Sequence, residues 1–144
     1  METEELVKKS IAISNAFDAM ATRIFEQAKS LLKQGDIAYP EYKQVMDNYY
    51  LPLMNYSSKI LMDSSNQIID NMDQYLTEIE EATNRLNKVS EDLKTAEGIF
   101  SGVTFVLAAA ASIATFATAP SKNTFISAFS MVKQAVKSIG GMEG

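Results

Sequence analysis

The chain has 144 residues, of which 47% are hydrophobic, and this is enough for one domain with a core. It contains no Cys and no His, which excludes disulfides, thiol chemistry and imidazole bases. It has 13 basic and 18 acidic residues, and the basic residues form no cluster along the sequence. We therefore expect no binding of nucleic acid. Because no phosphate-binding loop, dinucleotide motif or nucleophile–base set is present, we expect no enzyme, cofactor, metal site or small-molecule substrate.

The first predicted element is a helix from Thr3 to about Gln34. Its apolar stripe repeats with heptad spacing, with Ser10 and Gln27 as weak positions, and consists of Leu6, Ile13, Phe17, Met20, Ile24 and Leu31. Gly35 and Pro40 predict a stop and a short connection. The N-terminus starts acidic and has no apolar core, so we expect no Sec-type signal peptide, and export would use another route.

A short helix is predicted from Glu41 to Leu51, and Pro52 either kinks it or opens the next one. From Leu61 to Ala110 apolar or small residues then recur at spacings of four and three without a slip. This register predicts one helix from about Leu53 to Ala117, on the order of 100 Å long.

The second half of that helix differs in charge from the first. From Gly98 to Ser121 there are 24 residues without a formal charge. Ile99, Phe105, Val106, Ile113 and Phe116 fill the faces beside the stripe, so the helix is apolar or neutral all round, as in a large core or a membrane.

A last amphipathic helix is predicted from Thr124 to Ile139, with Lys133 and Lys137 off its apolar side. We therefore expect an all-α fold, an elongated antiparallel bundle or coiled coil with one very long helix. Residues 1–97 form a charged coiled-coil rod of a single helical domain, 98–139 an apolar hairpin and 140–144 a flexible tail.

The apolar half presents a problem of coverage. The chain offers it only one short neighbouring helix, so we expect its shell to be incomplete and to need a partner or a bilayer. Insertion as a permanent membrane anchor is unfavourable, because its eight strongly apolar residues contribute only about −2 to −5 kcal/mol and Ser, Thr and Gly oppose them. If the N-terminal rod were cytoplasmic, a membrane-spanning helix would also place three lysines outside the cell, against the positive-inside preference. These are Lys122, Lys133 and Lys137.

These patterns give two sets of candidate residues. For contact with a membrane or within an oligomer we predict Ile99, Phe100, Val103, Phe105, Val106, Leu107, Ile113, Phe116, Phe125 and Phe129. For close packing of helices we predict Gly98, Gly102 and Ala110.

The layout from about Leu53 to Ile139 resembles α-helical pore-forming toxins of the cytolysin A type. Its parts are a long heptad helix, an uncharged Gly- and Ala-containing segment, a turn at Pro120 and an amphipathic return helix. The resemblance implies a rod-shaped bundle that hides an apolar hairpin until it meets a membrane. Such toxins usually have a further long helix after the hairpin, whereas 24 residues follow Pro120 here. The layout is similar to that of translocator-like and holin-like membrane-active proteins to about the same degree.

Two hypotheses of function follow. In the first, a membrane-active protein forms or assists a pore by oligomerising and inserting the hairpin, so its partners are membrane lipid and other copies of itself. In the second, a soluble adaptor, secretion-linked protein or virion or filament subunit buries its apolar half in a homo-oligomer or against a helical protein partner.

Overall fold

The computed structural model describes residues 3–61 and 69–141, and in this part of the chain every regular element is helical. The elements are α1 (Thr3–Gln34), α2 (Tyr39–Val45), a π-helical turn (Met46–Tyr50), α3 (Leu51–Ile60), α4 (Met72–Ser90), α5 (Ala96–Thr118) and α6 (Lys122–Gly141). The prediction of an all-α helical bundle is confirmed.

Helix α1 has the predicted bounds and the predicted buried stripe. Leu6, Ser10 and Phe17 are among its buried residues, so even the weak position Ser10 faces the core. Gly35 ends the helix with φ of +80°, a left-handed conformation that costs glycine little. The N–H groups of Gly35 and Asp36 donate to the carbonyls of Leu32 and Leu31 at 3.1 and 2.9 Å, which closes the last turn as a Schellman motif.

Residues Tyr39 to Ile60 form one continuous helix that contains the π-helical turn. It begins with Pro40 in its first turn, where Glu41 accepts a hydrogen bond of 2.9 Å from the Ala38 N–H. Pro52 neither ends the helix nor starts a new one. It has no N–H to donate, and the turn just before it is widened, with the Leu51 N–H donating to the carbonyl of Met46 five residues back.

The prediction of one helix from Leu53 to Ala117 is wrong. The chain leaves the helical conformation at Leu61, and α4 starts only after Asn71, whose φ is 68°. A second break follows Ser90, and α5 starts at the N-cap Thr95, whose hydroxyl accepts the Gly98 N–H at 2.9 Å. Ser65 and Ile68, two of the residues that recur at spacings of four and three between Leu61 and Ala110, lie outside the described residues.

Helices α5 and α6 form the predicted hairpin around Ala119 to Ser121. Ser121 accepts the Thr124 N–H at 3.0 Å, and the Thr124 hydroxyl accepts the Ser121 N–H at 2.9 Å, so this reciprocal pair starts α6. Gly140 and Gly141, which were assigned to the predicted tail, continue α6. The last three positions of that tail lie outside the described residues.

The helices enclose one core. Helix α1 packs against α3 and α4, α5 against α3 and α6, and α6 against α4, so the order around the core is α1, α3, α5, α6, α4. Helices α1 and α3 are antiparallel, since Ser14 bonds to Ser57 while Phe25 lies beside Tyr50. Tyr75 at the start of α4 touches Phe116 and Phe125, which brings the turn of the hairpin to that end of the bundle.

Candidate functional site

The apolar half of the sequence is enclosed by the chain itself. Ile99, Val106, Ile113 and Phe116 are only 1%, 0%, 2% and 1% exposed. The expectation of an incomplete shell is therefore wrong. The two breaks explain the error, because they divide one long helix into the shorter α3, α4 and α5. Helix α3 then packs against α5, and α4 packs against α6 and α1.

The predicted contact residues fall into two groups. Six are buried in the core, namely Ile99, Val103, Val106, Ile113, Phe116 and Phe125. Four are half-buried and pack against the core from its edge, namely Phe100, Phe105, Leu107 and Phe129. Contact of the first group with lipid or a second copy requires the bundle to open.

The predicted glycine pair packs against the connection before its own helix. A Cβ at Gly102 would lie 2.6 Å from Cδ2 of Leu93, which is buried in the connection between α4 and α5. A Cβ at Gly98 would lie 2.9 Å from the hydroxyl of Thr95, the N-cap. The two glycines therefore make room for this connection, while Ala110 is buried in the core.

The solvent side of α5 carries hydroxyl groups in place of charges. Its exposed residues after Glu97 are Ser101, Thr104, Thr115 and Thr118. The hydroxyls of Thr104, Thr115 and Thr118 donate to carbonyls of their own helix at 2.8, 3.0 and 2.9 Å. Because these hydroxyl donors are hydrogen-bonded within the helix, none of them would be left without an acceptor if α5 left water. From the sequence alone these residues were taken to oppose insertion, because residue spacing does not show that their hydroxyls are hydrogen-bonded to the helix backbone.

Length and composition also single out α5. Among the described helices it alone is long and apolar enough to cross a bilayer, and half of its most apolar window is buried in the bundle. Core helices of soluble proteins can have the same length and composition.

Aromatic rings hold the turn of the hairpin to α4. Tyr75 stacks on Phe125 with ring centroids 4.1 Å apart, and it meets the edge of Phe116 at 6.5 Å. Phe129 continues the stack from Phe125 at 5.6 Å. This aromatic cluster, defined as Tyr75, Phe116, Phe125 and Phe129, joins α4, α5 and α6 at one end of the bundle.

Two groups of buried or half-buried polar side chains join helices. The Ser14 hydroxyl donates to the Ser57 carbonyl at 2.9 Å, and the Ser57 hydroxyl bonds to Asp18. Arg23 of α1 reaches the end of α4, where it donates to Ser90 Oγ at 2.7 Å and to Asn87. Within residues 3–61 and 69–141, no three carboxylates come together in a way that could hold a metal ion.

Comparisons with protein-family models, with curated proteins and with solved structures find no significant match to this chain. The function must therefore be argued from the geometry alone.

Proposed function

We propose that this protein is membrane-active and that its α5–α6 hairpin leaves the bundle to enter a bilayer, as part of a pore or in support of one. The observation that carries the proposal is the outer face of α5. A bundle needs apolar residues only on the buried side of a helix, and charged residues are the ordinary choice on the other side. Here the outward positions from Ser101 to Thr118 carry none.

The chemistry of that face suits lipid as well as water. Threonine hydroxyls that donate to their own helix leave no unpaired donor in hydrocarbon, where each unpaired group costs several kcal/mol. The bundle buries the strongly apolar side of α5 and leaves the weakly polar side in water. Both sides are compatible with lipid once the helix has moved.

The proposal requires an opening of the bundle, because six of the predicted contact residues are buried. Helices α1, α3 and α4 keep amphipathic surfaces and would stay outside the hydrocarbon. The α5–α6 hairpin would separate from α3 and α4, which are its main neighbours outside the hairpin, and from a smaller contact with α1. The resemblance to cytolysin A-type toxins predicts the same kind of transition.

Charges placed on the outer face of α5 test the proposal. Thr104→Lys with Thr115→Lys should change the free energy of unfolding by no more than about 0.5 kcal/mol per site, because both residues are exposed. In a bilayer a lysine costs about 2.5–3.5 kcal/mol near the centre of a helix, where Thr104 lies, and less toward its end, where Thr115 lies. We therefore expect the wild type to release dye from liposomes and the double variant to release little.

Asn15→Lys with Ala19→Lys is the matched control, since these residues are exposed on α1. It adds the same charge outside the hairpin and should leave dye release intact. Equal release by both double variants and the wild type, or no release by the wild type from any liposome, contradicts the proposal.

A second candidate function is self-association through the same face. Ser101, Thr104, Ala108, Ala111, Thr115 and Thr118 are small and recur at spacings of three and four, which would let another helix approach closely. In this case Thr104→Lys with Thr115→Lys lowers the mass measured by light scattering in plain buffer. The membrane proposal expects that mass to stay the same.

A further inference from the structure

The solvent face of α6 is basic in a protein that is acidic elsewhere. Residues 1–97 contain 10 basic and 17 acidic residues, whereas residues 98–144 contain three basic residues and one acidic residue. All three basic residues, Lys122, Lys133 and Lys137, are exposed on α6, and the helix itself contains no acidic residue.

Among the described residues, these lysines have no carboxylate partner. In the part of the chain that the structure describes, Lys8 and Glu4 form the only ion pair, at 4.0 Å. Lys133 lies over the ring of Phe129, with Nζ 5.2 Å from its centroid. Lys133 and Lys137 are one turn apart, so their like charges repel each other in the free protein. An anionic partner would relieve this repulsion.

The residues around the lysines suit the surface of a bilayer. Ile126 is 52% exposed one turn after Lys122, and the other exposed residues of this face include Asn123, Ser127 and Ser130. Exposed lysines with neutral neighbours and an apolar side chain are typical of a helix that lies in the headgroup region. The opposite side of α6 packs against α4 and α5.

We propose that the Lys122–Lys133–Lys137 face of α6 is the docking surface for anionic phospholipid headgroups and brings the protein to the membrane before α5 inserts. The proposal rests on the membrane-active function proposed above and names the lipid class. A lysine near an anionic surface contributes about 1 kcal/mol, so each one should strengthen binding about fivefold.

Flotation with vesicles tests this docking surface separately from insertion. We expect the wild type to bind vesicles of phosphatidylcholine with about 30% phosphatidylglycerol far more tightly than vesicles of phosphatidylcholine alone, and to lose this binding as salt is raised. Lys133→Gln with Lys137→Gln should weaken binding to the anionic vesicles about 25-fold.

Lys29→Gln with Lys33→Gln is the matched control, because these are also exposed lysines one turn apart, on α1. It removes the same charge and should bind like the wild type. Equal losses in the two double variants, no loss in either, or equal binding of the wild type to neutral and anionic vesicles overturns the docking surface. Self-association at low salt without binding to vesicles also overturns it, since the lysines would then meet acidic protein.

Dye release from the same vesicles reports on the proposed function. Release that is independent of Lys133 and Lys137 leaves the proposed function standing and removes the docking surface. Lysine-dependent binding to anionic vesicles without any release supports the docking surface and contradicts insertion.

Discussion

At the scale of single residues, Gly102 of α5 packs closely against Leu93. Leu93 is buried in the connection between α4 and α5, and its Cδ1 and Cδ2 atoms would lie 2.7 and 2.6 Å from a Cβ at position 102. Distances this short force a shift of the leucine side chain, which its buried position resists. Gly102 is therefore needed for packing within the monomer.

Gly102→Ala should lower the free energy of unfolding by about 1 kcal/mol, because overpacking costs about 1–3 kcal/mol and the gain in helix propensity returns about 1. In a Leu93→Ala background the clash is absent, so the same substitution should stabilise the protein. Urea denaturation of the four proteins of this cycle measures the coupling.

Gly140→Ala is the control for helix propensity, since among the described residues no atom beyond the adjacent backbone of α6 lies within 4 Å of a Cβ at that position. It should stabilise α6 by up to about 1 kcal/mol. A destabilisation by Gly102→Ala that persists without the Leu93 side chain would show that this leucine is not the cause.

At the scale of helices, Thr95 decides where α5 begins. Its hydroxyl accepts the Gly98 N–H at 2.9 Å, and Glu97 lies in the first turn, where a negative charge is favourable. Thr95→Ala should lower the free energy of unfolding by about 1 kcal/mol. Thr95→Ser should lower it by much less, because serine keeps the capping hydroxyl. Thermal unfolding followed by circular dichroism would measure both, and equal midpoints for the two variants would show that the cap contributes nothing.

The same residue shows what could and could not be predicted from the sequence. The bounds of α1 were predictable, because the heptad stripe ends at Leu31 and Gly35, which favours the end of a helix, follows shortly after it. The break between Ser90 and Ala96 was missed because Val89, Leu93 and Ala96 keep the heptad spacing through it. Thr95 with Glu97 was the signal for a new helix, and Asn71 was a weaker one before α4. Heptad periodicity shows which residues face the core. It does not require that one continuous helix carries them.

At the scale of the whole molecule, the enclosure of α5 follows from these breaks. The accessible surface of 7645 Å² is close to the value of about 7,400 Å² for a folded monomer of 15.9 kDa. The closed bundle therefore does not need a partner to cover its core. In the proposed function, activity on a membrane would depend on how readily the hairpin separates from α4, and the aromatic cluster is the contact that would have to break at the turn.

A reversible bridge across this cluster tests that dependence. The chain has no cysteine, so Tyr75→Cys with Phe125→Cys introduces the only two thiols, at positions whose native rings stack 4.1 Å apart. Without a bridge this variant should unfold more easily and release dye faster than the wild type, because the loss of the buried Phe125 ring and of the half-buried Tyr75 ring costs several kcal/mol. Bridged by a short bis-methanethiosulfonate reagent, it should release no dye until reductant is added.

Ser14→Cys with Ser57→Cys is the control bridge. The two native hydroxyl oxygens lie 3.0 Å apart, so a disulfide there needs only a small shift and ties α1 to α3. This bridge leaves α5 and α6 free to separate from α4, and dye release should continue in its oxidised form. If the Tyr75–Phe125 bridge leaves release unchanged, the hairpin does not have to part from α4, and a bundle that acts while closed would have to touch lipid with its surface alone.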